Sequence, residues 1–214
     1  NFFAYFLLGI CVLDVSNTIV SYLSIQVEEY KKTGVFEELF ILPVDSTNLL
    51  ILSSAFPIFL SLTKLLIYMT VLMVSFDGNF DYSFHSLIIL LFTVFSMLII
   101  FIGISLIACS MTILFYKGSW ISVFHNMISI FLGGVFYPSY LILDNTSWVQ
   151  YLIPIHNILE ILRSIFDISE LTYVAMNNLL IVLTLQSSFF LIVGFFFLKV
   201  SIRKSMINGN IFHY

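Results

Sequence analysis

Residues 28–43 read EEYKKTGVFEELFILP, and the fold turns on how this stretch is understood. It separates two long apolar runs and holds four glutamates and two lysines, in a chain that is only 9% charged. A few solvated residues would suffice to reverse the chain. Instead Phe36, Leu39 and Phe40 recur at helical spacing beside Glu37 and Glu38. That pattern predicts a short amphipathic helix over about 29–42, lying at a membrane surface. An interfacial connector and a docking helix for a partner both fit this composition.

The runs on either side set the class. The chain has 214 residues, 60% of them hydrophobic, with 24 phenylalanines. Its mean hydropathy is +1.08. A soluble domain is about half apolar and about one quarter charged, so the expectation is an all-α polytopic membrane protein forming one transmembrane domain over 1–214. A span needs about 20 mainly apolar residues. Five runs qualify, at about 2–27, 49–76, 86–116, 119–143 and 172–198. Backbone amides in hydrocarbon must pair within their own segment, which makes these spans helices. Because the runs are continuous and do not alternate, they exclude a β-barrel.

Lysine and arginine give the orientation. Lys31 and Lys32 follow the first run, Lys117 the third, and Lys199, Arg203 and Lys204 the fifth. If each run crosses once, these residues share one side, and the positive-inside rule makes it cytoplasmic, tail included. Asn1 then falls outside, and one further upstream span would return the start to the cytoplasm. The eight basic residues form no patch, so nucleic-acid binding has no support.

The fourth run is interrupted. Gly133 and Gly134 loosen the helix, and Pro138 follows. Pro154 opens a new helical pattern. Ile155, Ile158, Leu159, Leu162, Ile165 and Phe166 share one face, with His156, Glu160, Arg163 and Asp167 opposite. The expectation is an extracellular re-entrant helical hairpin over about 135–169, dipping into the outer leaflet.

Two ionisable residues lie within spans: Asp14, with Asn17 one turn on, and Lys64. Charges in hydrocarbon cost about 2.5–3.5 kcal/mol on insertion scales, so they face a partner or a wet cavity. A substrate path, a mutual ion pair and a polar clamp between helices all remain open. The sequence contains no Gly-x-x-x-x-Gly-Lys phosphate loop, His-Glu-x-x-His or Gly-x-Ser-x-Gly. No catalytic residue is therefore expected. The dispersed histidines, 85, 125, 156 and 213, suggest no metal site, and Cys11 and Cys109 read as packing residues.

Three stretches together resemble type-2 ABC transporter permeases. The opening FFAYFLLGI is similar to the start of that family's second span. GVFEELFILPV resembles its Gly-Thr-Leu-Glu-x-Leu segment before a proline, with Val35 and Phe36 in place of Thr and Leu. GGVFYPSYLI followed by WVQYLIPIHNILEILR is similar to its extracellular motif, where Pro154, Glu160 and Arg163 match the recurrent Pro, acidic residue and Arg. The resemblance implies six spans in the full protein, with an upstream amphipathic helix and first span beyond this chain. It also implies a coupling helix in which Gly34, Phe36, Glu37, Glu38, Leu39 and Phe40 contact a partner. The outer gate would comprise Gly133, Gly134, Pro138, Pro154, Glu160 and Arg163. Two separate ATPase subunits carrying ATP and Mg, and a second permease copy in a homodimer, complete the implied assembly at the plasma membrane. Export of a drug, antimicrobial peptide or lipid follows from this resemblance. A polysaccharide or glycolipid exporter permease, or a membrane-embedded enzyme or assembly factor without an ATPase partner, is the alternative.

Overall fold

The computed structural model describes residues 2–36, 38, 46–75, 84–115, 119–137, 152–166, 168 and 172–208. The helices among them are α1 (Phe2–Thr33), α2 (Ser46–Ser53), α3 (Ala55–Ser75), α4 (Phe84–Phe115), α5 (Ser119–Leu132), α6 (Pro154–Ile165) and α7 (Tyr173–Asn208). No strand occurs among the described residues. Among the described residues, four spans are long and apolar enough to cross a membrane: α1, the α2–α3 pair taken as Asn48–Val71, α4, and α7. This is the fold of a polytopic membrane protein.

The element boundaries differ from the sequence expectation in three places. First, α1 does not stop near residue 27. It runs on through the polar residues to Thr33, aided by an i,i+4 pair in which Lys32 Nζ lies 2.9 Å from Glu28 Oε1. It ends at Gly34, whose φ of 77° is the left-handed conformation that terminates helices. Residues 29–33 therefore belong to α1, and of the rest of the expected coupling helix over about 29–42 only Gly34, Val35, Phe36 and Glu38 are among the described residues. Second, the second run breaks at Ser54. Pro57 falls in the first turn of α3, where its missing N–H is harmless, whereas a continuous helix would have needed it to bond Ser53.

Third, the fourth run yields a helix of only 14 residues. At 1.5 Å per residue it spans about 21 Å, short of a hydrocarbon core of about 30 Å. The Gly133 amide makes its last helical bond, to Ser129 O at 3.1 Å, and Gly134 then turns with a φ of 70°.

α4 lies at the centre, packed along α7 on one side and α1 on the other, with α6 across all three. Close approach of α4 to α7 depends on glycine. A Cβ at Gly194 would sit 2.6 Å from the Gly103 carbonyl oxygen, and one at Gly103 would sit 2.6 Å from that of Phe190. The same pair of helices is bonded where Ser201 Oγ donates to Ser110 O at 2.7 Å. Two apolar layers result. One gathers Leu8, Val12, Met97, Phe101, Leu159 and Leu183, and the other gathers Leu23, Val27, Phe36, Cys109, Ile113 and Leu198.

Candidate functional site

Three polar constellations stand out in this apolar frame. The first lies just beyond the α1 elbow. Phe36 is 2% exposed and packs among Leu23, Val27, Leu50, Ile113 and Leu198. Lys31 stands over its ring, 5.4 Å from the centroid. The ammonium donates to Thr112 O at 3.0 Å and Ile113 O at 2.6 Å. These carbonyls belong to the last turn of α4, which a helix leaves unsatisfied and negatively polarised. Phe36 therefore faces inward, which corrects the expectation that its ring contacts a partner. Val35 and Glu38 are exposed. Glu37, Leu39 and Phe40 lie outside the described residues.

The second constellation joins α1 to α3. Lys64 Nζ lies 3.0 Å from Asp14 Oδ2 and 3.2 Å from Oδ1, and donates to Thr18 Oγ1 at 2.9 Å. Tyr68 OH donates to Asp14 Oδ2 at 2.9 Å. The Asp14 and Lys64 side chains retain 35% and 39% of their exposure. Asn17 engages through its backbone carbonyl, bonded by Ser21, and its side chain takes no part in the cluster. Thr18 and Tyr68 were legible in the sequence only by spacing, each four residues on from a charged residue.

The third sits where the fourth run breaks. Pro154 starts α6 after an extended Ile153. Ile155 fills the space that a Cβ on Gly133 would need. Two turns on, Arg163 is 5% exposed. Its guanidinium lies 3.3 Å from the centroid of the Tyr5 ring and donates to the carbonyls of Gly134 at 2.9 Å and Val135 at 3.3 Å. Tyr5 OH donates to the same Gly134 carbonyl at 3.2 Å. Burial pushes Arg163 down to about 10, which leaves it charged at neutral pH.

A Cβ at Gly9 would strike the Val135 carbonyl, and Phe6 packs on Phe136 at 5.1 Å. The break is thus gripped between α1 and α6. Gly133, Gly134, Pro154 and Arg163 come together here, whereas Glu160 pairs with His156 at 2.9 Å and Pro138 lies outside the described residues. Both faces of α6 are buried, including His156 and Asn157. Asn157 donates to Gln186 of α7 at 3.2 Å. Tyr5 is the member of this clasp that sequence reasoning missed.

No curated protein matches the chain. The ABC-2 type transporter family profile matches residues 2–166, which takes in α1 through α6 and all three constellations. The chain belongs to the ABC-2 type transporter family, and it is a membrane component of a transport system.

Proposed function

We propose that the chain is the permease subunit of an ATP-driven exporter for a lipophilic or amphiphilic cargo. It would work with two copies of a separate ABC ATPase and with a second permease copy. ATP and Mg would be held on the ATPase, and the protein would reside in the plasma membrane with Lys31, Lys32, Lys117 and the tail inside. On this reading α5, with the residues after it, makes the fifth crossing. The hairpin over about 135–169 dips into the outer leaflet and gates the path.

One observation carries the reading. The segment after Gly34 is keyed into the bundle by buried Phe36, while Lys31 ties the same point to the end of α4. Cores are close-packed and transmit displacement instead of absorbing it. A push on this segment, when the ATPase subunits close on ATP, therefore moves α1, α4 and α7 together. The residues proposed to receive the push are Glu37, Glu38, Leu39 and Phe40.

Charge reversal tests this. A segment resting on anionic lipid tolerates added lysines, which such a surface attracts. At a fitted protein contact the same change costs several kcal/mol. Glu37→Lys with Glu38→Lys is expected to leave expression and insertion intact while abolishing transport and loosening the ATPase in co-purification. Normal transport by that protein would overturn the coupling role.

A further inference from the structure

Asp14 lies about 18 Å along α1 from its start, at 1.5 Å per residue, well inside the apolar part of the span. Its cluster with Lys64 is not sealed in the bundle, since both side chains keep more than a third of their exposure. Ionic groups turned to lipid tails are strongly disfavoured, so the working protein presents this face to something polar. The hydrogen-bond inventory narrows what that is. Thr18 spends its proton on the Asp14 carbonyl at 2.8 Å, and Tyr68 spends its own on the Asp14 carboxylate. Of the three Lys64 protons, one is directed at Asp14 and one at Thr18. Among the described residues, the cluster therefore keeps at most one ammonium N–H unspent, with oxygen lone pairs of Asp14 and Tyr68 beside it.

Its formal charge is zero. A net anion would meet the carboxylate, and a net cation the ammonium. A head group with no net charge and an acceptor oxygen satisfies both. The surroundings suit the remainder of such a molecule: Ile10, Ile67 and Val71, within about a turn of the cluster, are exposed and apolar. Toward the C-terminal end of α1, Tyr22 meets Phe56 at 5.8 Å between ring centroids and closes the floor between the helices.

We propose that Asp14, Lys64, Thr18 and Tyr68 form a binding site for the head group of a neutral or zwitterionic amphiphile, whose chain lies along Ile10, Ile67 and Val71. This rests on the transport reading and names the class of cargo.

The test is photolabelling of the full-length protein, purified in maltoside micelles without any ATPase. The probes are a photoreactive phosphatidylcholine, its phosphatidylglycerol counterpart and a photoreactive alkyl trimethylammonium. The phosphatidylcholine is expected to mark peptides covering residues 10–22 and 59–71 in preference to the two charged probes. Lys64→Gln is expected to lower that labelling about tenfold, as the loss of one charge-assisted hydrogen bond implies. Swapping the pair, Asp14→Lys with Lys64→Asp, keeps an interhelical ion pair but moves the donor to α1, so labelling should fall as far.

If the swapped protein does not fold, Asp14→Asn with Lys64→Gln replaces it, and it too must lose labelling. Wild-type labelling in these variants would make the cluster a structural clamp and overturn the proposal. Preference for either charged probe would overturn it as well. So would an Ile67→Cys disulfide joining two copies across this face, which would make it an interface. Intact, selective labelling beside absent export would reject the exporter reading and leave the site standing.

Discussion

Arg163 shows how a single residue can hold an irregular backbone inside an apolar bundle. Where the fourth run breaks, Gly134 and Val135 present carbonyls that no helix satisfies, and an unmet buried acceptor costs about 1–3 kcal/mol. The planar guanidinium serves both from one side chain while stacking on Tyr5, something a lysine's compact ammonium cannot reproduce. Arg163→Lys is therefore expected to destabilise the protein by about 1–3 kcal/mol, read as a fall in thermal unfolding temperature of the purified full chain. Tyr5→Phe removes one hydrogen bond but keeps the ring, so it should cost about 1 kcal/mol or less. Equal losses for the two would show that the guanidinium is not what holds the break.

Among elements, the long apolar helices were legible in the sequence, and the division of their faces was not. α4 and α7 are apolar all round. In water the apolar stripe of a helix identifies its buried side, but lipid is as apolar as a neighbouring helix, so the pattern loses that information. Hence Gly103 and Gly194 gave no sign that they meet, and the apolar face that Phe36 shares with Leu39 and Phe40 could not be told apart as a face for lipid, for a partner or for its own bundle. α6 misled for the opposite reason. Its alternating faces suggested a polar side, yet Asn157 and Arg163 bond to groups that other elements bring to them, and buried His156 pairs with Glu160 one turn on in the same helix. Asp14 and Lys64 were legible as charges in need of partners, though not the helix-to-helix register that sets them 3.0 Å apart.

The glycine contact also fixes an expectation for α4 and α7. Gly194→Ala places a methyl against the Gly103 carbonyl and should cost about 1–3 kcal/mol through overpacking. Ser188→Ala, on an exposed face of the same helix, should change stability by less than about 0.5 kcal/mol. Thermal unfolding of both proteins decides it, and a harmless Gly194→Ala would mean that α4 and α7 are not pressed together there.

At the scale of the whole molecule, the polar locks lie at opposite ends of α1. Lys31, near its C-terminal end, grips the last turn of α4, so the two helices finish on the same side. Tyr5, near its N-terminal end, meets Arg163 and Gly134. Lys31 and Lys32 in the last turn of α1, and Lys199 and Lys204 toward the end of α7, lie at the first of these ends, and under the positive-inside rule the proposed topology puts that end in the cytoplasm. The assignment matters because a coupling segment must face the compartment that holds ATP, and a gate must face the other. It can be checked without knowing the cargo. Cys11 and Cys109 are both buried, so an impermeant thiol reagent should find little background in the native chain. Single cysteines replacing Asn79 and Asn145 are expected to react with that reagent in sealed cells, and one replacing Gly118 only after the membrane is opened. Labelling at Gly118 in sealed cells would invert the orientation. The segment after Gly34 would then lie outside, where no ATPase could push on it, and the coupling role would fall with it.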